Sequence, residues 1–182
     1  MCLQVYSARF TGPLHACMKP SISPPVSGVH PDEQLQIKLE VDTDPPEGVG
    51  YEIKYQLLPV PYHVRIFTLP SLFAGKVHAM LCRGWQSRVK GRDFYDYIWY
   101  LSKGVPLNLQ HLANRMKQSG HLKIDDMLTD AILLERMIER FDKVDFEQAR
   151  RDVRPFIRNP ESIDIWSKEF FVAVTKDKLR ST

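Results

Sequence analysis

Polar and apolar residues alternate along QLQIKLEVD, residues 34–42: Leu35, Ile37, Leu39 and Val41 fall on one side, and Gln36, Lys38, Glu40 and Asp42 on the other. A period of two is that of a strand with one buried face. A shorter alternating stretch, residues 3–10, turns Leu3, Val5 and Ala8 inward. Between them runs KPSISPPVSGVHPDEQ, in which Pro20, Pro24, Pro25 and Pro31 break any continuous row of N–H donors, so this segment is read as an exposed excursion. After the turn TDPPEGVG come two more strand candidates, residues 51–58 and 62–69.

From Pro70 the period becomes helical. Pro70 suits the first turn of a helix through SLFAGKVHAMLCRG, with Gly84 as its stop. Further helices are expected over 92–103, from Pro106 and Asn108 to Gly120, and over 125–143, 146–158 and 162–178, the last with Trp166, Phe170 and Val174 as its core stripe. Strands followed by helices predict an α+β protein: a small mixed or antiparallel sheet region over 1–69, then a helical bundle over 70–182. No internal repeat is evident.

Composition narrows the class. A chain of 182 residues with 43% hydrophobic residues can bury a real core. Its 25 basic and 22 acidic residues give a net charge of +3, which alone does not define a nucleic-acid binder. Cys2, Cys17 and Cys82 are widely spaced and form no CxxC pair, so reduced thiols are expected and zinc is not. No apolar run approaches the roughly 20 residues that span a bilayer, and MCLQVYSARF is unlike a secretory leader. A cytoplasmic protein without membrane association is the expectation.

Three places could carry chemistry. On the polar edge of residues 34–42, Lys38, Glu40 and Asp42 lie about 6.6 Å apart. They could bind a divalent cation and steady a phosphate, or form an ordinary solvated face. In the helix after Pro70, residues at 100° intervals place Leu69, Leu72, Phe73, Val77, Met80 and Leu81 on one stripe, with Lys76 inside it. That lysine either extends outward along its stem or is held inward by an anion; His78 lies off the stripe centre. In RVKGRDFYDYIWYL, Phe94, Tyr95 and Ile98 give a core face, and Asp93 and Asp96 lie on the other side. Asp93 fits a helix first turn, and Arg88, Lys90 and Arg92 make the approach either a phosphate docking point or solvated loop charge.

Taken in order, IKLEVDTDPP, FTLPSLFAGKVHAMLCR and RVKGRDFYDYIWYL, with PESIDIWSKEFF in the tail, resemble the AbiEii/AbiGii toxin family of nucleotidyltransferases, over about residues 34–178. The resemblance implies a polymerase-β-like sheet bearing catalytic acids and a helical C-terminal region. It also implies transfer of a nucleotide from an NTP, with Mg²⁺, to an acceptor such as tRNA, beside a cognate antitoxin in an abortive-infection system. Residue by residue, it assigns Lys38 to the nucleotide and Glu40 to the metal. Lys76 and Arg92 fall to the NTP phosphates, and Asp93 to a polar catalytic role shared with Lys76.

The family's upstream glycine-rich and D-x-D-like blocks are not found in residues 1–33, which hold no glycine pair and no aspartate before Asp32. Glu40 alone cannot hold a Mg²⁺ pair. The expectation is therefore an incomplete chain, inactive as it stands. The alternative is a non-catalytic module that binds an antitoxin or RNA through the basic stretch from Arg83 to Arg92.

Overall fold

A computed structural model of the chain describes residues 8–10, 37–39, 45–84 and 89–182, the first two stretches by backbone alone. Two units separate, Met1–Pro45 and Pro46–Thr182. In the first, β1 (Ala8–Phe10) pairs antiparallel with β2 (Ile37–Leu39), so that Arg9 faces Lys38. The remainder of the alternating segment, Glu40 included, lies outside the described residues.

The second unit opens with an antiparallel hairpin, β3 (Tyr51–Gln56) and β4 (Tyr62–Phe67), in register from Tyr51 opposite Phe67 to Gln56 opposite Tyr62. Among the described residues six α-helices follow: α1 (Leu69–Cys82), α2 (Gly91–Ser102), α3 (Leu109–Gln118), α4 (Asp130–Asp142), α5 (Phe146–Val153) and α6 (Lys168–Lys178). The class is α+β, as the patterning predicts. Among the described residues no helix is long and apolar enough to cross a membrane.

Caps explain where the helices deviate from the periodic reading. Thr129 accepts from the Ile132 N–H and starts α4 five residues later than expected. Ser167 accepts from the Phe170 N–H, so α6 begins at Lys168 rather than near Ser162. Its core residues are consequently Phe171 and Thr175, while Phe170 and Val174 are only half-buried and Trp166 is buried ahead of the helix. At the end of α5, Pro155 takes the chain into a 3-10 turn, Arg154–Phe156, instead of a longer helix.

Phe171 is the centre of the core. Its ring lies 5.0–5.5 Å from those of Phe94, Phe141, Phe146, Trp166 and Phe170, drawing α2, α4, α5 and α6 together. In α1 the buried positions are Ser71, Phe73, Ala74, Val77 and Met80; Leu69 and Leu72, expected in the stripe, are exposed. In α2 they include Phe94, Tyr97, Tyr100 and Leu101, and Tyr95 faces outward, contrary to the expected core face. The Phe73 ring stacks on Tyr100 at 4.8 Å, which seats α1 on α2.

Candidate functional site

Where α1 meets α2, two ion pairs bridge the seam. Lys76 Nζ lies 2.5 Å from Asp96 Oδ2, and Arg83 Nη1 donates to Asp93 Oδ2 at 2.6 Å. Lys76 and Arg83 are seven residues, about two turns, apart along one side of α1 and its C-terminal cap. Asp93 and Asp96 are three apart on α2. The earlier cation takes the later acid, so the helices run antiparallel and the pairs form two rungs of a ladder.

The rungs open into a cleft of about 380 Å³ lined by Lys76, Arg83, Lys90 and Arg92, the two acids, and Tyr95 and Phe156 among its apolar walls. Arg92 stands at the rim, exposed, its guanidinium 5.4 Å from the Phe156 ring centre and 4.0 Å from Asp152 Oδ2. Asp93 is buried, and Lys76 keeps about 42% of its side chain open to solvent. Periodicity places Lys76 inside an apolar stripe. The structure puts it at the stripe's edge, held by the carboxylate of Asp96, so the anion that explains its position is a residue of this chain.

Gly91 sets the angle of α2. A Cβ built there would lie 2.0 Å from the Ala149 carbonyl oxygen, so α2 begins in backbone contact with α5. Next to it the Val89 N–H donates to the side-chain oxygen of Gln148. These contacts fix the start of α2 just before Arg92 and Asp93.

Of the expected site residues, Lys76, Arg92 and Asp93 come together in this cleft. Lys38 belongs to the Met1–Pro45 unit, and Glu40 and Arg88 lie outside the described residues. Arg83 and Asp96 are site residues that the sequence reading gives no individual role, although the spacing of Lys76 to Arg83 and of Asp93 to Asp96 signals that each pair shares a helix face. Among the described residues no cluster of three or more His, Cys, Asp or Glu is placed to hold a metal ion. The cleft itself supplies two carboxylates, each already paired with a cation, which does not fit Mg²⁺ and its need for several oxygen ligands in octahedral array. What the cleft can do chemically therefore rests on its cations, its two paired acids and its aromatic rim.

A second cavity, of about 580 Å³, adjoins the first and shares Lys76, Arg83 and Asp93 with it. Its other walls are Phe67, Leu72, Gly75 and Ala79 on one side and Arg115, Ser119 and His121 on the other, with His78 between them. His78 Nε2 and Ser119 Oγ are 2.9 Å apart, and Ser119 Oγ and His121 Nδ1 3.0 Å. Burial, then the positive charge of Arg115, lowers the His78 pKa to about 4, so its imidazole is neutral at pH 7.

Four cations against two carboxylates, in a concave site between packed helices, define a surface suited to a phosphate-bearing ligand. Residues 16–174 match the family model described as nucleotidyl transferase AbiEii toxin, Type IV TA system. The match spans most of the chain, and the protein belongs to that family of nucleotidyltransferase toxins. Comparison with curated proteins gave no match, and comparison with solved structures gave none either.

Proposed function

We propose that this protein transfers a nucleotide from an NTP to an acceptor such as tRNA, as the toxin of a toxin–antitoxin pair acting in phage defence. The observation that carries the reading is the ladder of Lys76–Asp96 and Arg83–Asp93 with Arg92 at its rim. Nucleotidyl transfer joins a nucleoside monophosphate to an acceptor hydroxyl and releases pyrophosphate. The protein's task is chiefly to position the reactants and neutralise charge. In this reading Lys76 exchanges the Asp96 carboxylate for a phosphate oxygen, and Arg92 takes an outer phosphate. Asp93, oriented by Arg83, accepts a hydrogen bond from the acceptor hydroxyl. The sequence resemblance alone assigns Lys38 to a nucleotide and Glu40 to a metal ion.

The test is incubation with labelled NTPs, Mg²⁺ and total tRNA. The D-x-D-like pair is not found in residues 1–33, so the assay is run on this chain and on a form extended at its N-terminus with that pair. Label should enter RNA with the extended form, and Lys76→Ala in it should abolish transfer. No transfer, together with NTP binding indifferent to Lys76→Ala, would remove the enzymatic reading. A second reading, a non-catalytic module that binds RNA or an antitoxin, is favoured by one observation: both cleft acids are engaged by cations. It predicts RNA binding that weakens steeply with salt, with no label transferred.

A further inference from the structure

The cavity adjoining the ladder has a different chemistry from the cleft. Along α1, Leu72, Gly75, Ala79 and Cys82 recur at intervals of three and four, so they share one side of the helix. Gly75 is the opening in that side: a Cβ built there meets nothing within 4 Å. The floor is therefore a low, apolar helix surface flanked by Leu72 and Phe67. Facing it, Ser119 bridges His78 and His121, whose rings are 6.4 Å apart and nearly perpendicular. This bridge uses Nε2 of His78 and Nδ1 of His121. The His78 imidazole, neutral at pH 7, divides one donor and one acceptor between its two nitrogens. Arg115 Nε is buried and has no hydrogen-bond partner among the described residues.

A low apolar floor edged by the hydrogen-bonding groups of Ser119, His78 and His121, with Arg115 beside them and the ladder cations Lys76 and Arg83 at the mouth, suits a planar heterocycle with hydrogen-bonding edges that carries a phosphate. Because Lys76 and Arg83 line both cavities, a ligand lying here would pass its phosphates directly to the ladder. We propose that the cavity between Gly75 and the His78–Ser119–His121 bridge is a nucleoside subsite, which takes the base and ribose attached to the phosphate at Lys76. The proposal rests on the phosphate reading of Lys76. The nucleoside comes either from the NTP or from the end of a single-stranded RNA, and the test separates the two.

The full chain is titrated by calorimetry with inorganic tripolyphosphate, with each of ATP, CTP, GTP and UTP, and with a short single-stranded RNA. At least one NTP should bind about tenfold tighter than tripolyphosphate, a factor worth about 1.4 kcal/mol. Gly75→Leu fills the open space with a better helix former, and it should erase this advantage while leaving tripolyphosphate affinity unchanged. His121→Ala should reduce the advantage in the same way. If only the RNA shows affinity sensitive to Gly75→Leu, the subsite holds the acceptor's nucleoside. If neither NTPs nor RNA lose affinity in Gly75→Leu, the subsite does not exist, and the phosphate reading stands on its own. Tripolyphosphate binding that is absent, or unchanged by Lys76→Ala, would overturn the phosphate reading and the subsite with it.

Discussion

The ammonium of Lys76 lies 2.5 Å from the carboxylate of Asp96, across the seam between α1 and α2. Both side chains are more than a third exposed, so solvent screens the pair and its contribution to stability is about 0.2–1 kcal/mol. Its functional consequence is larger. A phosphate approaching Lys76 must displace Asp96 or share the lysine with it. Asp96→Asn should therefore tighten tripolyphosphate binding severalfold, and Lys76→Ala should weaken it by about tenfold or more, each with little change in melting temperature. If Asp96→Asn weakened binding as much as Lys76→Ala, the carboxylate would be a partner of the ligand instead of its competitor.

The second rung behaves differently because Asp93 is buried where Asp96 is not. Arg83→Ala removes the cation from a carboxylate that retains only about 11% of its side-chain exposure. A loss of roughly 1–3 kcal/mol is expected. The double variant Arg83→Ala/Asp93→Asn should recover part of it, since an amide tolerates burial better than an unpaired charge. Denaturant unfolding of the four proteins measures the coupling, and strictly additive losses would contradict it.

Gly91 is replaceable only at the expense of the α2–α5 contact. With Ala149 O 2.0 Å from the would-be Cβ, the obstacle is backbone and cannot rotate aside. Gly91→Ala should destabilise by roughly 1–3 kcal/mol, the range for overpacking, and should also lower nucleotide affinity, because Arg92 and Asp93 move with the helix start. A variant of unchanged stability would mean that α2 and α5 are not in backbone contact.

How far the sequence reveals this site depends on which interactions are local. The helix starts at Pro70 and Asn108, the two strands that precede α1 and the α+β class follow from patterning and capping, which are properties of neighbouring residues. Lys76 stands out because a cation in an apolar stripe demands a reason, and Arg92 and Asp93 because they open a helix beside basic residues. The reason itself, Asp96, sits twenty positions away on another helix, and periodicity does not encode which helix faces which. The same holds for Ser119 and His121, which reach His78 only because α3 packs on α1. In the expected α6 stripe Trp166 is buried, but Phe170 and Val174 give way to Phe171 and Thr175 in a helix that Ser167 caps and starts at Lys168.

A buried hydroxyl joins the hairpin to the helices. Ser71 Oγ, within a residue only 1% exposed, is reached by Gly50 N–H at 2.9 Å, Thr68 Oγ1 at 3.2 Å and Asn108 Nδ2 at 3.2 Å. Asn108 also caps α3 by accepting from the His111 N–H and donates to Gly48 O. Ser71→Ala strands the Gly50 N–H and should cost about 1–2 kcal/mol. Asn108→Ala, which loses a cap as well, should cost about as much or more. Hydrogen exchange should show faster opening at Gly50 and Thr68 in both variants, and unchanged protection there would show that the hairpin is held by other contacts.

His78 makes stability depend on pH in a window set by its own shift. Its pKa falls to about 4 from the ordinary 6.5, first through burial and then through the positive charges of Arg115, His121 and Arg83. Below pH 6.5 the unfolded chain takes a proton that the folded chain refuses until about pH 4, so the unfolded state binds more protons across this range. Stability is unaffected by His78 above the window and falls as pH drops from 6.5 towards 4. In His78→Gln that part of the slope should vanish. His111, whose pKa is also lowered by burial, is present in both proteins, so the difference between the two curves reports His78. Unfolding free energies measured from neutral to mildly acid pH should diverge below about 6.5, with wild type losing more than the variant. Parallel curves through the window would show that His78 is freely protonated in the folded state, and the imidazole that meets Ser119 would then carry charge at mildly acid pH.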